Sequence, residues 1–246
     1  MRGKVVLVGA GPGDPGLITV KGLMEVRRAD AIVYDRLAPK EVLAEAKGSA
    51  ELYYVGKEPG GGPSQDEVNR LLWDLASRGL HVVRLKGGDP LVFGRGEEEC
   101  LYLAARGVEC EVVPGVPSYV YAASRSYAAL GSRLGSHSYT VTTGTLAGGG
   151  FNNAIPALAR VSDTLVVLMG ARYSERILEA TASARGWGAP GVIVYRGGME
   201  GERVLVGSLR DLLEAYRRGE YGSPSVFILG GAAGVARRLQ DTIHRS

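Results

Sequence analysis

The chain has 246 residues, 45% of them hydrophobic and 22% charged, and its 29 basic and 26 acidic side chains leave a formal net charge of +3. That is enough apolar material for a substantial core and excludes a disordered, collagen-like or disulfide-scaffolded chain. So balanced a charge argues against a nucleic-acid coat or a polybasic membrane patch, and apolar runs such as 163–169 end far short of the roughly 20 residues that cross a bilayer. With no apolar leader or cleavage site at the N-terminus, the expected location is the cytoplasm.

The first half alternates β-branched runs with helical spacing. Lys4 to Val8 reads as a strand that breaks into the turn Gly9-Ala10-Gly11-Pro12-Gly13-Asp14-Pro15-Gly16. Ala31 to Tyr34 is a second strand with Asp35 at its end, and Glu51 to Val55 a third. Ser64 with Glu67 three residues on forms a capping box; Val68, Leu71, Leu72 and Leu75 follow at helical spacing, and the helix ends at Gly79. His81 to Leu85 is a strand running into Lys86-Gly87-Gly88-Asp89-Pro90, and Val108 to Val113 is the last strand of this half. Pro, Gly and Ser cluster at Pro114 to Ser118, marking a hinge between domains 1–115 and 116–246. In the second half, strands are expected at Tyr139 to Thr143, Thr164 to Met169, Val192 to Tyr195, Arg203 to Val206 and Ser225 to Leu229, some of them antiparallel. Helices are expected near Asn153 to Arg160, Ser174 to Arg185 and Leu209 to Arg217, and the Gly-rich tract Thr143 to Gly150 reads as a mobile loop.

Two Gly-rich turns at strand ends of one sheet point to a shared crevice at its carboxyl edge. A dinucleotide site fits badly: Pro12 has no N–H to offer, and Asp14 stands where a small residue should pack helix on strand and would repel pyrophosphate. Taken singly, each Asp-Pro reads as a helix start, Asp as N-cap and Pro at the first helical position. Arg95 and Glu98, three apart, read singly as a surface pair, Glu97 to Glu99 as an acidic first helical turn, and His81 as structural. Cys100 and Cys110 read as two buried thiols, and with only three His and no Cys-x-x-Cys neither a metal site nor a histidine triad is expected. Arg outnumbers Lys 23 to 6, which suits bidentate grip on carboxylates and equally a hot-living source.

Read together, Val8-Gly9-Ala10-Gly11-Pro12-Gly13-Asp14-Pro15, Val33-Tyr34-Asp35-Arg36-Leu37, Val55-Gly56-Lys57, Gln65 with Asn69, and Leu85-Lys86-Gly87-Gly88-Asp89-Pro90 with Phe93-Gly94-Arg95-Gly96-Glu97-Glu98 resemble the tetrapyrrole methylases. Pro114-Gly115-Val116, Leu168-Met169-Gly170, Arg196-Gly197 and Ser223-Pro224 extend the likeness over nearly the whole chain. The resemblance implies a two-domain α/β enzyme, each domain a mixed sheet flanked by helices, with the active site in the cleft between them. It implies a homodimer that uses S-adenosylmethionine to methylate uroporphyrinogen III at C2 and C7, giving precorrin-2 on the route to sirohaem and cobalamin. The rival readings are a methyltransferase for a later precorrin and a non-catalytic S-adenosylmethionine or tetrapyrrole binder. Carried over by position, Pro12, Gly87, Gly88, Asp89, Val92, Pro117, Ser118, Met169, Gly197 and Ser225 would hold the cofactor. Arg95, Glu98 and Asp35 would be catalytic, Arg36, Lys57 and Arg133 would meet the substrate, and Arg125 is a further candidate for its carboxylates. The chain departs from the family's pattern at Pro117-Ser118 and over Tyr127 to Arg133, the latter a segment the resemblance places near the substrate.

Overall fold

The computed structural model describes residues 3–56 and 61–243, so Lys57 lies outside the described residues. The chain divides into two compact units, Met1–Ser118 and Tyr119–Ser246, where the sequence reading set the boundary at 115/116.

The first unit contains β1 (Lys4–Gly9), α1 (Val20–Arg28), β2 (Ala31–Tyr34), α2 (Lys40–Ala44), β3 (Glu51–Tyr54), α3 (Gln65–Ser77), β4 (His81–Lys86), α4 (Gly96–Ala104) and β5 (Glu109–Val113). Its sheet has the order β3-β2-β4-β1-β5, and every ladder is parallel. The mixed sheet expected here is therefore wholly parallel, because the connections between paired strands are long crossovers rather than hairpins. Helices cover both faces, so β1 reads as an unbroken apolar run instead of alternating. Val5, Leu7 and Val33 pack with Val68, Leu72 and Leu103 on one face, while Val6, Val8 and Ile32 pack with Val26 and Val42 on the other.

The Ser64–Glu67 capping box starts α3 as expected: Ser64 Oγ accepts from Glu67 N (3.2 Å), and Glu67 Oε2 accepts from Ser64 N (2.7 Å). Two expectations fail. Cys100 on α4 and Cys110 on β5 form a disulfide, since the short return from helix to adjacent strand brings their Cα atoms to 5.3 Å, within bridging distance. Asp89 caps no helix, because α4 begins only at Gly96; Asp14 does cap a short helical turn over Pro15–Leu17, accepting from Gly16 N at 2.8 Å.

The second unit contains α5 (Ser118–Ser126, beginning at the boundary), β6 (Tyr139–Thr143), α6 (Ile155–Val161), β7 (Thr164–Leu168), α7 (Ser174–Arg185), β8 (Pro190–Tyr195), β9 (Arg203–Ser208), α8 (Leu209–Arg217), β10 (Ser225–Gly230) and α9 (Gly231–Ile243). This sheet is mixed, in the order β6-β7-β10-β8-β9, parallel only between β6 and β7. Leu165, Val167, Ile193, Phe227 and Leu229 meet Ile155, Ile177, Leu178 and Leu212 in one core. No helix among the described residues is long and apolar enough to cross a membrane.

Candidate active site

In the first unit the register sets the carboxyl ends of β1, β2 and β4 in line: Gly9 pairs Lys86, and Tyr34 pairs Leu85. The two Gly-rich turns lock onto each other there. Gly11 N donates to Gly88 O (3.2 Å), and Gly88 N donates to Gly11 O (2.6 Å). A Cβ on Gly115 would stand 2.3 Å from Gly88 O, so the loop after β5 presses on the same point and only glycine fits. Asp89 ties the loops together, its Oδ1 accepting from Leu91 N (2.9 Å) and its Oδ2 from Gly115 N (3.1 Å). A Cβ on Gly88 (φ +67°) would have only Ser118 N at 3.7 Å and Pro117 Cα at 4.0 Å for neighbours, which leaves an open ledge beside the start of α5. Gly87 lies against Leu37, and Asp35 Oδ1 accepts from Leu37 N (3.0 Å), so the loop after β2 joins the same edge.

Beneath this edge lies a buried ion cluster. Arg84 and Lys86 project from one face of β4 onto Glu99 of α4, with Nε at 3.2 Å and Nζ at 2.9 Å from Glu99 Oε1. Gln65 Nε2 donates to the same oxygen (3.1 Å) and to Asn69 Oδ1 (3.0 Å). Arg84 Nη2 is 3.8 Å from Asp35 Oδ2. Burial pushes the Lys86 ammonium below its ordinary value and the neighbouring Arg84 charge pushes the same way, with Glu99 opposing both. At the N-terminus of α4, Arg95 grips Glu98 in a fork, Nε to Oε1 2.8 Å and Nη2 to Oε2 2.7 Å. That hydrogen bonding raises the Arg95 guanidinium and lowers the Glu98 carboxyl, and both side chains are exposed.

In the second unit, Met169 follows β7 with φ +49° and an exposed side chain. Gly197 packs on the Tyr121 ring and follows Arg196, whose φ is +52°. Glu202 fastens this turn to α5: it accepts from Gly198 N (2.8 Å) and from the Tyr121 hydroxyl (2.6 Å), and it pairs with Arg125. Burial pushes the Glu202 carboxyl up, but the Gly198 N–H, Tyr121 and Arg125 outweigh it and hold the group below its ordinary value. Arg125, considered for substrate carboxylates, is thus committed to Glu202, whereas Arg36 and Arg133 are exposed. Ser225 is buried and spends its hydroxyl on Gly222 O (2.5 Å). Pro12 and Val92 are half-buried, and Val92 N donates to Asp89 O (3.3 Å).

Most of the residues expected in the first unit thus gather at one edge, and in the second Met169 and Gly197 follow β7 and β8 while Ser225 opens β10 opposite Tyr195; Arg133 lies instead between α5 and β6. Non-glycine residues with left-handed backbones are found in three of these segments, Phe93 and Arg95 before α4, Met169 after β7 and Arg196 after β8, and also at Tyr127 after α5. Such strain costs on the order of 1–3 kcal/mol each and persists where the surroundings over-determine it, commonly at functional sites.

The model of the family "Tetrapyrrole (Corrin/Porphyrin) Methylases" matches residues 4–213. The chain is a tetrapyrrole methylase. Among its relatives is the uroporphyrinogen-III C-methyltransferase of Methanocaldococcus jannaschii, 40% identical over 96% of this chain and 98% of that protein. Among solved structures, the uroporphyrin-III C-methyltransferase of Thermus thermophilus complexed with S-adenosylhomocysteine superposes with a TM-score of 0.79 at 40% identity, covering 94% of this chain and 93% of the other. A cobalt-precorrin-4 methyltransferase superposes at 0.84 with 27% identity, covering 94% and 95%.

In this methylase the sequence reading missed the Arg84–Lys86–Glu99 cluster. Its signal was present: charges at alternate positions of an otherwise apolar strand share one face, and a strand covered on both sides must bury them. The fastening role of Glu202 carried no local signal, since its side-chain partners Tyr121 and Arg125 lie about 80 residues away on α5.

Proposed function

We propose that this methylase transfers methyl groups from S-adenosylmethionine to C2 and C7 of uroporphyrinogen III, giving precorrin-2 for sirohaem and cobalamin synthesis. The observation that carries the reading is the 40% identity with the Methanocaldococcus enzyme along essentially the full length of both chains. The residues fit the donor: the open ledge at Gly88 beside Ser118 N is a cradle that a side chain would fill. Pro12, Gly87, Gly88, Asp89, Val92, Pro117 and Ser118 would hold the donor from the first unit, and Met169, Gly197 and Ser225 from the second. When bound, the sulfonium supplies an already activated methyl group, so the protein has to supply orientation and charge management.

Arg95 commits two N–H donors to Glu98 and keeps the rest for a substrate carboxylate, while the fork fixes the direction in which they point. Asp35 accepts from Leu37 N with Oδ1, and its Oδ2, 3.8 Å from Arg84 Nη2, would take up the proton that the methylated ring must lose; Glu98 is a second candidate for that proton. Arg36, Lys57 and Arg133 would meet further carboxylates of the substrate. We assign the protein to the cytoplasm as a homodimer, to be checked by light scattering.

One observation favours a second reading, a methyltransferase for a later precorrin: the backbone superposes slightly better on the cobalt-precorrin-4 enzyme. Identity favours the first, 40% against 27%. Anaerobic incubation with uroporphyrinogen III and labelled S-adenosylmethionine tests the choice: a product heavier by two methyl groups is expected. Absence of transfer alongside retained S-adenosylhomocysteine binding would redirect the search to later precorrins or to a binding role.

A further inference from the structure

The Gly-rich tract Thr143 to Gly150, read from sequence as mobile, is fastened at several points. Gly144 N donates to Leu168 O (2.7 Å), Thr143 Oγ1 to Thr145 O (2.8 Å), and Asn152 Nδ2 to Thr143 O (2.9 Å). Leu146 N donates to Gly150 O (2.8 Å), and the Tyr173 hydroxyl to Gly149 O (2.7 Å). A Cβ on Gly144 would stand 2.5 Å from Gly170 Cα, so the loop lies directly against the residue after Met169. One bond reaches Met169 itself: Thr145 Oγ1 donates to Met169 O at 2.7 Å.

That bond falls on a strained residue. A methionine gains nothing locally from φ +49°, and unlike Asn or Asp it has no short polar side chain to stabilise a left-handed backbone. Its side chain is half exposed, so core packing does not hold the conformation either. The Thr145 hydroxyl on its carbonyl and the Gly144–Gly170 contact at the next residue are what fix the peptide.

We propose that Thr145 is a positioning residue for the methyl donor, its hydroxyl clamping the Met169 backbone so that the thioether stands ready at the end of β7. The inference rests on the donor reading for Met169 given above. Without the hydroxyl the carbonyl loses its partner, the left-handed peptide loses its restraint, and the side chain must be ordered again at each binding event.

The test uses the full chain labelled with 13C-methyl methionine, whose four methionines give few signals, with Met169→Leu assigning the one of interest. In the wild type, S-adenosylhomocysteine shifts the Met169 signal. Thr145→Val, close in shape, moves or broadens that signal in the free protein and weakens S-adenosylhomocysteine binding about tenfold, as expected for one lost hydrogen bond. Thr145→Ser keeps the hydroxyl and restores both. Tyr173→Phe, which releases the same loop at Gly149, acts in the same direction more weakly and serves if Thr145→Val fails to fold. An unchanged Met169 signal and affinity in Thr145→Val, or equal loss in Thr145→Ser, overturns the clamp. A wild-type Met169 signal that ignores S-adenosylhomocysteine overturns the donor reading instead, and the free-protein spectra keep the two failures apart.

Discussion

The two units bury polar side chains of different kinds. In the first they include Glu25, Asn69, Arg84, Lys86 and Glu99, whereas in the second they are hydroxyls, among them Ser126, Ser136, Thr142, Thr164, Ser174 and Thr181. The first collects charge under the carboxyl edge of a parallel sheet, next to the loops bearing Asp35 and Arg95. The second uses neutral hydroxyls to fasten backbone, as with buried Ser136 to Leu130 O (2.7 Å) and Thr181 to Ile177 O (2.8 Å), and half-buried Thr145 to Met169 O. A buried charge creates a field that acts on a charged substrate and its protons, but it must be paired; a buried hydroxyl fixes geometry at little electrostatic cost.

The largest expected effect separates these two strategies. Glu99→Gln strands two buried cations and should cost about 3–5 kcal/mol in urea unfolding, against about 1 kcal/mol for Thr181→Val; equal costs would erase the distinction. Next, replacing Cys100 and Cys110 by Ser removes a short covalent loop and should cost about 3 kcal/mol. The loss should fall on the first unit, so Trp73 fluorescence should report it and Trp187 should not; a shift at both would show that the units unfold together. Third, Arg95→Ala should slow methyl transfer about 100-fold, as for loss of a preorganised charged donor, with S-adenosylhomocysteine affinity almost unchanged. Equal loss of both would make Arg95 structural and blunt the contrast with Thr145, whose variant acts on donor binding.

Acidification should separate the units least. Asp30 in the first is held below its ordinary value by its hydrogen bond from Lys47 and then by His81 N; Asp163 in the second is held down by the N–H groups of His137 and Ser138, and Asp211 by Ser208. Depressed carboxylates contribute stability above the unfolded value of about 4, and that contribution is lost as pH falls through the folded values. The melting temperature should therefore hold from neutrality to about pH 5 and drop below about pH 4, to a similar extent at Trp73 and Trp187.

Strands and turns were the legible part of this chain. β1, β2 and β4 lie where the apolar runs placed them because a central parallel strand needs little beyond continuous hydrophobicity. β7 ends one residue early, at Leu168, since Met169 turns left-handed there, and no pattern of hydrophobicity records a carbonyl held by a threonine in another loop. The disulfide was equally out of reach: ten positions between cysteines say nothing until the chain reverses from helix to strand. Arg95 and Glu98 show both sides at once, a surface pair by geometry that stands on a strained turn at the edge where the Gly-rich loops interlock.

The sequence by itself determined the α/β class, the two glycine-rich turns, the capping box of α3 and the family, because each rests on short-range pattern or on motifs in fixed order. Only the tertiary structure decided that Glu99, in the acidic first turn of α4, is also a buried counter-ion, that Glu202 pairs with Arg125, and that the Gly-rich tract is fastened to the end of β7. Each of those depends on partners brought together from distant points of the chain, and the free energy of a buried charge or a held carbonyl is set by those partners, not by its neighbours in sequence.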